Sequence, residues 1–249
     1  MADHSNMKLG RKAIRTDSRT LALGDYLKPS LPPPPPAKDW MCGISDWGVM
    51  KNNDLGDCTI AGVAHAIQVW SACLGKEVTV DDDTVVSYYS KWDGYDPADP
   101  TTDRGGIELD VLNSWHKEGF SGHDLFAFAA PKPSNLVQIR QAITLFGGVY
   151  IGVSLPVTAQ TQDVWDVVPK SGANGRKGSW GGHCVYVAKY DEHSFTCITW
   201  GKPKTMTIAF WKKYCDEAYA LLGEDWLNEK GAPSGFAKDD LMKDLASIK

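Results

Sequence analysis

Apolar and polar positions change their rhythm once along this chain, and the change divides it. From Cys58 to Cys73 the residues Cys-Thr-Ile-Ala-Gly-Val-Ala-His-Ala-Ile-Gln-Val-Trp-Ser-Ala-Cys are apolar almost all round. That pattern predicts a helix buried on every side rather than a surface helix with one wet face. Gly56 permits a sharp turn into it, and Asp57 is placed to cap its first turn. Helical spacing also predicts helices over 84–92, 106–115 and 135–145, the last with Leu136, Ile139 and Ile143 on one side. Beyond residue 147 the β-branched content rises. Strands are expected over 148–155, 182–190, 194–200 and 205–210, with a short turn at Asp191-Glu-His193 joining two of them into a hairpin. A helix is expected over 211–222 and a weak amphipathic one over 237–248. Helices first and strands second predict an α+β fold with a helical lobe followed by a mostly antiparallel sheet lobe.

The first 39 residues differ from the rest. They are charged and polar as far as Leu21 and end in the prolines Pro29 and Pro32–Pro36, five of them consecutive, which favours a stiff polyproline segment. The resulting division is an extension over 1–39, a globular domain over 40–223 and a tail over 224–249. Within the domain the helical lobe covers about 40–130 and the sheet lobe about 131–223.

Composition removes several function classes. With 43% apolar residues and 10 Trp, the chain has ample material for a core. A net charge of −5 without a basic run argues against nucleic acid as a partner. No apolar stretch is long enough for a membrane helix, and none follows the early basic residues as a secretory signal would, so a cytoplasmic location is expected. The six cysteines form no C-x-x-C pair, which speaks against zinc or redox chemistry; in a reducing compartment they stay thiols, most of them as small core residues.

Candidate chemistry centres on Lys51-Asn52-Asn53-Asp54-Leu55-Gly56-Asp57-Cys58. A cysteine in the first turn of a buried helix sits at the positive end of the helix dipole, which favours the nucleophilic thiolate. The free amides there can also bond an oxyanion. Gly181-Gly182-His183 opens a predicted strand 125 residues after Cys58, and its imidazole could exchange a proton with the thiol if the fold joins them. His65 lies seven residues along the same helix, too far to do so, and packs as a core residue instead.

Several stretches together resemble the papain-like cysteine peptidases. They are Asp39-Trp40, Val49–Asn52, Gly56-Asp57-Cys58 with its helix, Arg104-Gly105-Gly106, Ile139–Val153 around Phe146-Gly-Gly-Val149, Gly182-His183 through Asp191, and Ile198-Thr199-Trp200-Gly201. Their order is kept over residues 40–201. Of the family's local C-G-[SA]-C-[WY] signature only Gly56 and Cys58 survive, so the resemblance is to a distant branch, bacterial or from phage.

The resemblance implies a two-lobed papain-like fold with Cys58 as nucleophile and His183 as base and acid. Asn52, with Asn53 as fallback, stands where the family has its oxyanion glutamine. Gly105 and Gly106 match the glycines that bind extended peptide, and Trp200 matches the tryptophan that shields the histidine. The chain departs where the family reads Asn-Ser-Trp-Gly, because Ile198 replaces the asparagine and cannot accept from a ring N–H. Thr199 can, if the strand is displaced by one residue. The implied activity is cleavage of peptide or amide bonds in a peptide or protein substrate, through an acyl-enzyme and with no cofactor or metal. Two alternatives stay open: an inactive scaffold that binds a peptide or protein partner, and a thiol esterase or acyltransferase. Whether residues 1–39 cross the cleft, or are removed, is also open.

Overall fold

The computed structural model describes residues 3–26, 33–227 and 231–235. The helix expected over 237–248 lies outside the described residues, as do Pro29 and Pro32 of the proline run.

After β1 (Leu21–Ala22), α1 (Leu23–Tyr26) and β2 (Lys38–Asp39), three helices follow. These are α2 (Cys58–Cys73), α3 (Asp82–Asp93) and α4 (Glu108–Glu118). Then come β3 (Leu125–Ala130), α5 (Leu136–Phe146), β4 (Val149–Leu155), β5 (Gly181–Tyr190), β6 (Ser194–Thr199) and β7 (Lys202–Thr207), and last α6 (Ile208–Tyr214) and β8 (Cys215–Gly223). The sheet runs β1-β3-β8-β4-β5-β6-β7, with β2 added against β5. Every pairing is antiparallel except β1 with β3. The α+β architecture expected from the pattern is the one observed.

Helix α2 is buried from Cys58 through Ser71, as its uniformly apolar sequence demands. It packs on β4 and β5, and Gly62 makes that approach possible, since a Cβ there would lie 2.7 Å from the Tyr150 ring on β4 and 3.3 Å from Cys184 Sγ on β5. The Tyr150 hydroxyl donates to the Thr59 carbonyl at 2.8 Å, tying the first turn of α2 to β4. Burying side chains such as Ile60, Val63, Ile67 and Trp70 is worth roughly 1.5–3 kcal/mol each. The seam between helices and sheet is therefore stiff, and it carries Cys58 at one end.

Several expectations need correction. The helix expected over 211–222 stops at Tyr214, and Cys215–Gly223 is β8, a strand paired on both sides by β3 and β4. A strand buried on both faces shows no alternation, so its run Ala218-Tyr-Ala-Leu-Leu222 reads like a buried helix. Asp57 makes no side-chain cap bond to α2; its carboxylate accepts from Asn52 instead. Finally, Cys42 and Cys73 form a disulfide with Cα atoms 5.2 Å apart, so they are not thiols, whereas Cys58, Cys184, Cys197 and Cys215 are free and buried. Among the described residues no helix is long and apolar enough to cross a membrane.

Candidate active site

Cys58 opens α2, and His183 sits near the start of β5. The backbone N–H of Cys184 points at Cys58 Sγ at 3.4 Å, so the fold brings the histidine strand onto the first turn of α2. His183 is fully buried. Its Nε2 lies 2.7 Å from the Thr199 hydroxyl, while its Nδ1 has no hydrogen-bond partner among the described residues. Trp200 stacks on the ring at 4.8 Å between centroids and 19° between planes. If Nε2 carries the proton and donates it to Thr199, Nδ1 keeps its lone pair for a thiol proton.

Asn52 is buried nearby, but one of its amide N–H groups donates to Asp57 at 2.9 Å. Burial raises the Asp57 carboxyl well above its ordinary range, against the Asn52 hydrogen bond. Asn53 lies on the rim, where its carbonyl accepts from Lys8 N–H at 3.3 Å.

The N-terminal segment fills the groove between these groups. Gly106 N–H donates to Gly10 O at 2.8 Å, Lys12 N–H to Gly106 O at 2.8 Å, and Arg11 N–H to Gly182 O at 3.0 Å. This strap pairs with Gly106 in the parallel sense. It passes the narrowest point at Gly10, where a Cβ would stand 1.7 Å from Gly56 O; a Cβ on Gly105 would stand 1.8 Å from Gly10 O. Farther along, His4 stacks on the Trp200 ring at 5.0 Å. The groups brought together are thus Cys58, His183, Thr199, Trp200, Gly105 and Gly106, with Asn52 turned toward Asp57.

Under the strap the pair is electrically quiet. Burial pushes the Cys58 thiol up to about 12, although amide hydrogen bonds from Cys184 and Gly10 favour the thiolate. Burial, then the Arg11 charge, lowers His183 to about 3. The desolvation outweighs the helix-terminal field, so thiol and imidazole are both neutral in this closed state. The sulfur also meets the Gly10 N–H, while the Gly10 carbonyl is turned away to Gly106. The strap therefore offers the thiol a hydrogen-bond donor.

Sequence reasoning missed the groups that hold Arg11. Its guanidinium Nη2 reaches Asp216 at 2.8 Å and the Ser154 hydroxyl at 3.1 Å, Nη1 reaches Glu217 at 3.1 Å, and Nε lies 3.9 Å from Glu108. Asp216-Glu217 interrupting an apolar strand was the available signal. Outside the groove, His123, Glu224 and Asp225 are close enough together to hold a metal ion. Two of them already pair, His123 Nδ1 lying 2.9 Å from Asp225, and Glu224 accepts from Asp124 N–H.

No protein-family model matches the chain, and no curated protein matches it in sequence. Solved structures do match in fold. Xylellain, a cysteine protease from Xylella fastidiosa, superposes with a TM-score of 0.65 at 12% identity, over 87% of this chain and 96% of its own. The procathepsin B S9 of Trypanosoma congolense gives 0.59 at 10% identity, over 89% and 87%. Digestive procathepsin L 3 from the larval midgut of Tenebrio molitor gives 0.57 at 11%, over 88% and 76%. The fold is papain-like.

Proposed function

We propose that this chain is a thiol-dependent hydrolase of peptide or related amide bonds, held closed here by its own N-terminal strap. The observation that carries the reading is the His183 ring. Its Nε2 is 2.7 Å from Thr199 Oγ1, its face is covered by Trp200, and its Nδ1 is unpartnered among the described residues, on the strand whose next amide contacts Cys58 Sγ. Thr199 then does the orienting work for which Ile198 has no acceptor, since the third group of such a site positions the base and does not itself react.

With the strap withdrawn, His183 Nδ1 takes the Cys58 proton and the sulfur attacks the substrate carbonyl carbon. The oxyanion forms against the N-terminal amides of α2. The one Asn52 N–H not given to Asp57 is the candidate side-chain donor. His183 returns the proton to the leaving amine, and water then cleaves the thioester with His183 as base. Gly105 and Gly106 border the groove and would pair with the substrate backbone, as Gly106 now does with the strap. The same chemistry would serve an ester or an acyl transfer.

The test is the pH dependence of iodoacetamide labelling at Cys58, located by peptide mass, in a strap-displaced chain (Gly10→Ala, below) with and without His183→Ala. The proposal expects rapid labelling well below the ~8.5 of a free thiol, lost with His183. Labelling that follows an ordinary thiol and ignores His183 would leave a peptide-binding scaffold as the better reading.

A further inference from the structure

Arg11 is the deepest side chain of the strap, with 4% of its side-chain surface exposed, and three carboxylates surround it. These come from two elements, Glu108 from α4 and Asp216 with Glu217 from β8, while Ser154 on β4 completes the wall. Their remaining bonds prepare them for a cation. The Tyr219 hydroxyl donates to Glu217 Oε1 at 2.7 Å, leaving Oε2 to Arg11. Ser154 donates to Asp216 Oδ2 at 2.6 Å, leaving Oδ1 to Arg11. Glu108 is fully buried, with the Cys184 thiol against its carboxylate. Besides Arg11, the cation on this cluster is Lys177, 3.2 Å from Asp216. The floor is Gly152, where a Cβ would stand 2.7 Å from Arg11 Nη1 and 2.8 Å from Glu108 Oε1. The Arg11 guanidinium lies against this glycine, with no room for an added methyl.

This pocket adjoins the chemistry. In the β4–β5 register Ser154 faces Gly182 and Val153 faces His183. The strap residue that fills the pocket directly follows Gly10, whose amide meets the Cys58 sulfur.

Resting on the hydrolase reading above, we propose that Glu108, Asp216 and Glu217 form a specificity pocket for an arginine side chain of the substrate, with lysine second, and that Arg11 occupies it as a stand-in. Once the strap leaves, Glu108 and Glu217 face each other without a cation between them. A leucine in that space would keep the carboxylates desolvated and unpaired, whereas a guanidinium restores two-point contacts with Asp216 and Glu217. A site built to bond a polar group rejects analogues that lack it far more strongly than an apolar pocket rejects a wrong size.

The test uses the full chain carrying Gly10→Ala and Arg11→Ala, so that the strap neither fits the groove nor fills the pocket; near-ultraviolet circular dichroism checks that it is folded. Calorimetric titration compares acetylated tripeptide amides Gly-X-Gly in which X is arginine, lysine, leucine or glutamate. Arginine is expected to bind at least tenfold more tightly than leucine, with lysine between them and glutamate weakest. Adding Glu217→Gln, or in a separate chain Asp216→Asn, should bring the arginine-to-leucine ratio below three. Equal binding of arginine and leucine by the folded chain would overturn the proposal. Binding needs no turnover, so the two readings fail separately. Arginine selectivity with an inert Cys58 keeps the pocket and removes the hydrolase; an activated Cys58 with no cation preference does the reverse.

Discussion

Replacing Gly10 by alanine isolates the role of the strap, because one methyl is added where there is no room for it. Gly10 is not in the left-handed region, so alanine there carries no backbone penalty of its own. Its Cβ would stand 1.7 Å from Gly56 O, 2.2 Å from Gly56 C and 2.5 Å from Gly56 Cα, all backbone atoms at the turn into α2. Relief requires a shift of roughly 1.5–2 Å to reach ordinary contact distances of about 3.5 Å. That shift breaks the bonds on either side of the methyl, Gly106 N–H to Gly10 O and Arg11 N–H to Gly182 O. At about 0.5–1.5 kcal/mol net each, the closed strap loses about 1–3 kcal/mol, which raises the open population roughly 5- to 150-fold. When opening is fast compared with alkylation, labelling of Cys58 follows the open population and should accelerate by that factor. The assay is iodoacetamide modification at pH 6.5, resolved by peptide mass because Cys184, Cys197 and Cys215 are also free thiols. A Gly10→Ala chain that is folded yet labels within twofold of the parent would refute the reasoning, because occupancy by the strap would then not be what protects Cys58.

Two further outcomes follow from particular contacts. Thr199→Val keeps shape and removes the hydroxyl beside His183 Nε2. In the Gly10→Ala background it should slow Cys58 labelling roughly two- to twelvefold, the worth of one net hydrogen bond; an unchanged rate and pH profile would take the orienting role from Thr199. Asp93 is held up to about 6 by burial, although Thr59 and Lys12 favour its charge. Its folded value lies above its unfolded one, so its contribution to stability is present below about 3.8 and is lost as pH rises through 6. Asp93→Asn removes that loss and should raise the melting temperature at pH 7.5 by an amount worth about 1–3 kcal/mol, with the advantage gone near pH 4. An advantage that did not change with pH would rule out titration of Asp93 as its source.

How much of this was legible before folding depends on the range of the interaction. The uniformly apolar run 58–73 could hardly be anything but a buried helix, and it appears as α2 with those bounds. The hairpin at Asp191–His193 and the strands on either side of it were equally local, and β5 and β6 appear there. The positions of Cys58 and His183 on their elements followed from the same reading. Strand β8 is not legible in the pattern because burial on both faces erases the alternation that marks a strand. Strand β7 is displaced from the expected 205–210 to Lys202–Thr207, since pairing with β6 sets its register and its own weak pattern does not.

What only the tertiary structure decided are the relations between distant residues. Whether Thr199 could serve His183 depended on a strand register, because a shift of one residue would put Ile198 on that face. Asn52 stands where an oxyanion donor is expected, and the buried Asp57 claims one of its protons. The strap's path past Gly56 and Gly105 needs three backbones to converge, and the Arg11 pocket needs α4, β4 and β8 to meet. Periodicity along a chain reports which face of an element is dry. It carries no information on which dry or charged faces are brought together, because those contacts are made across separations of a hundred residues and more.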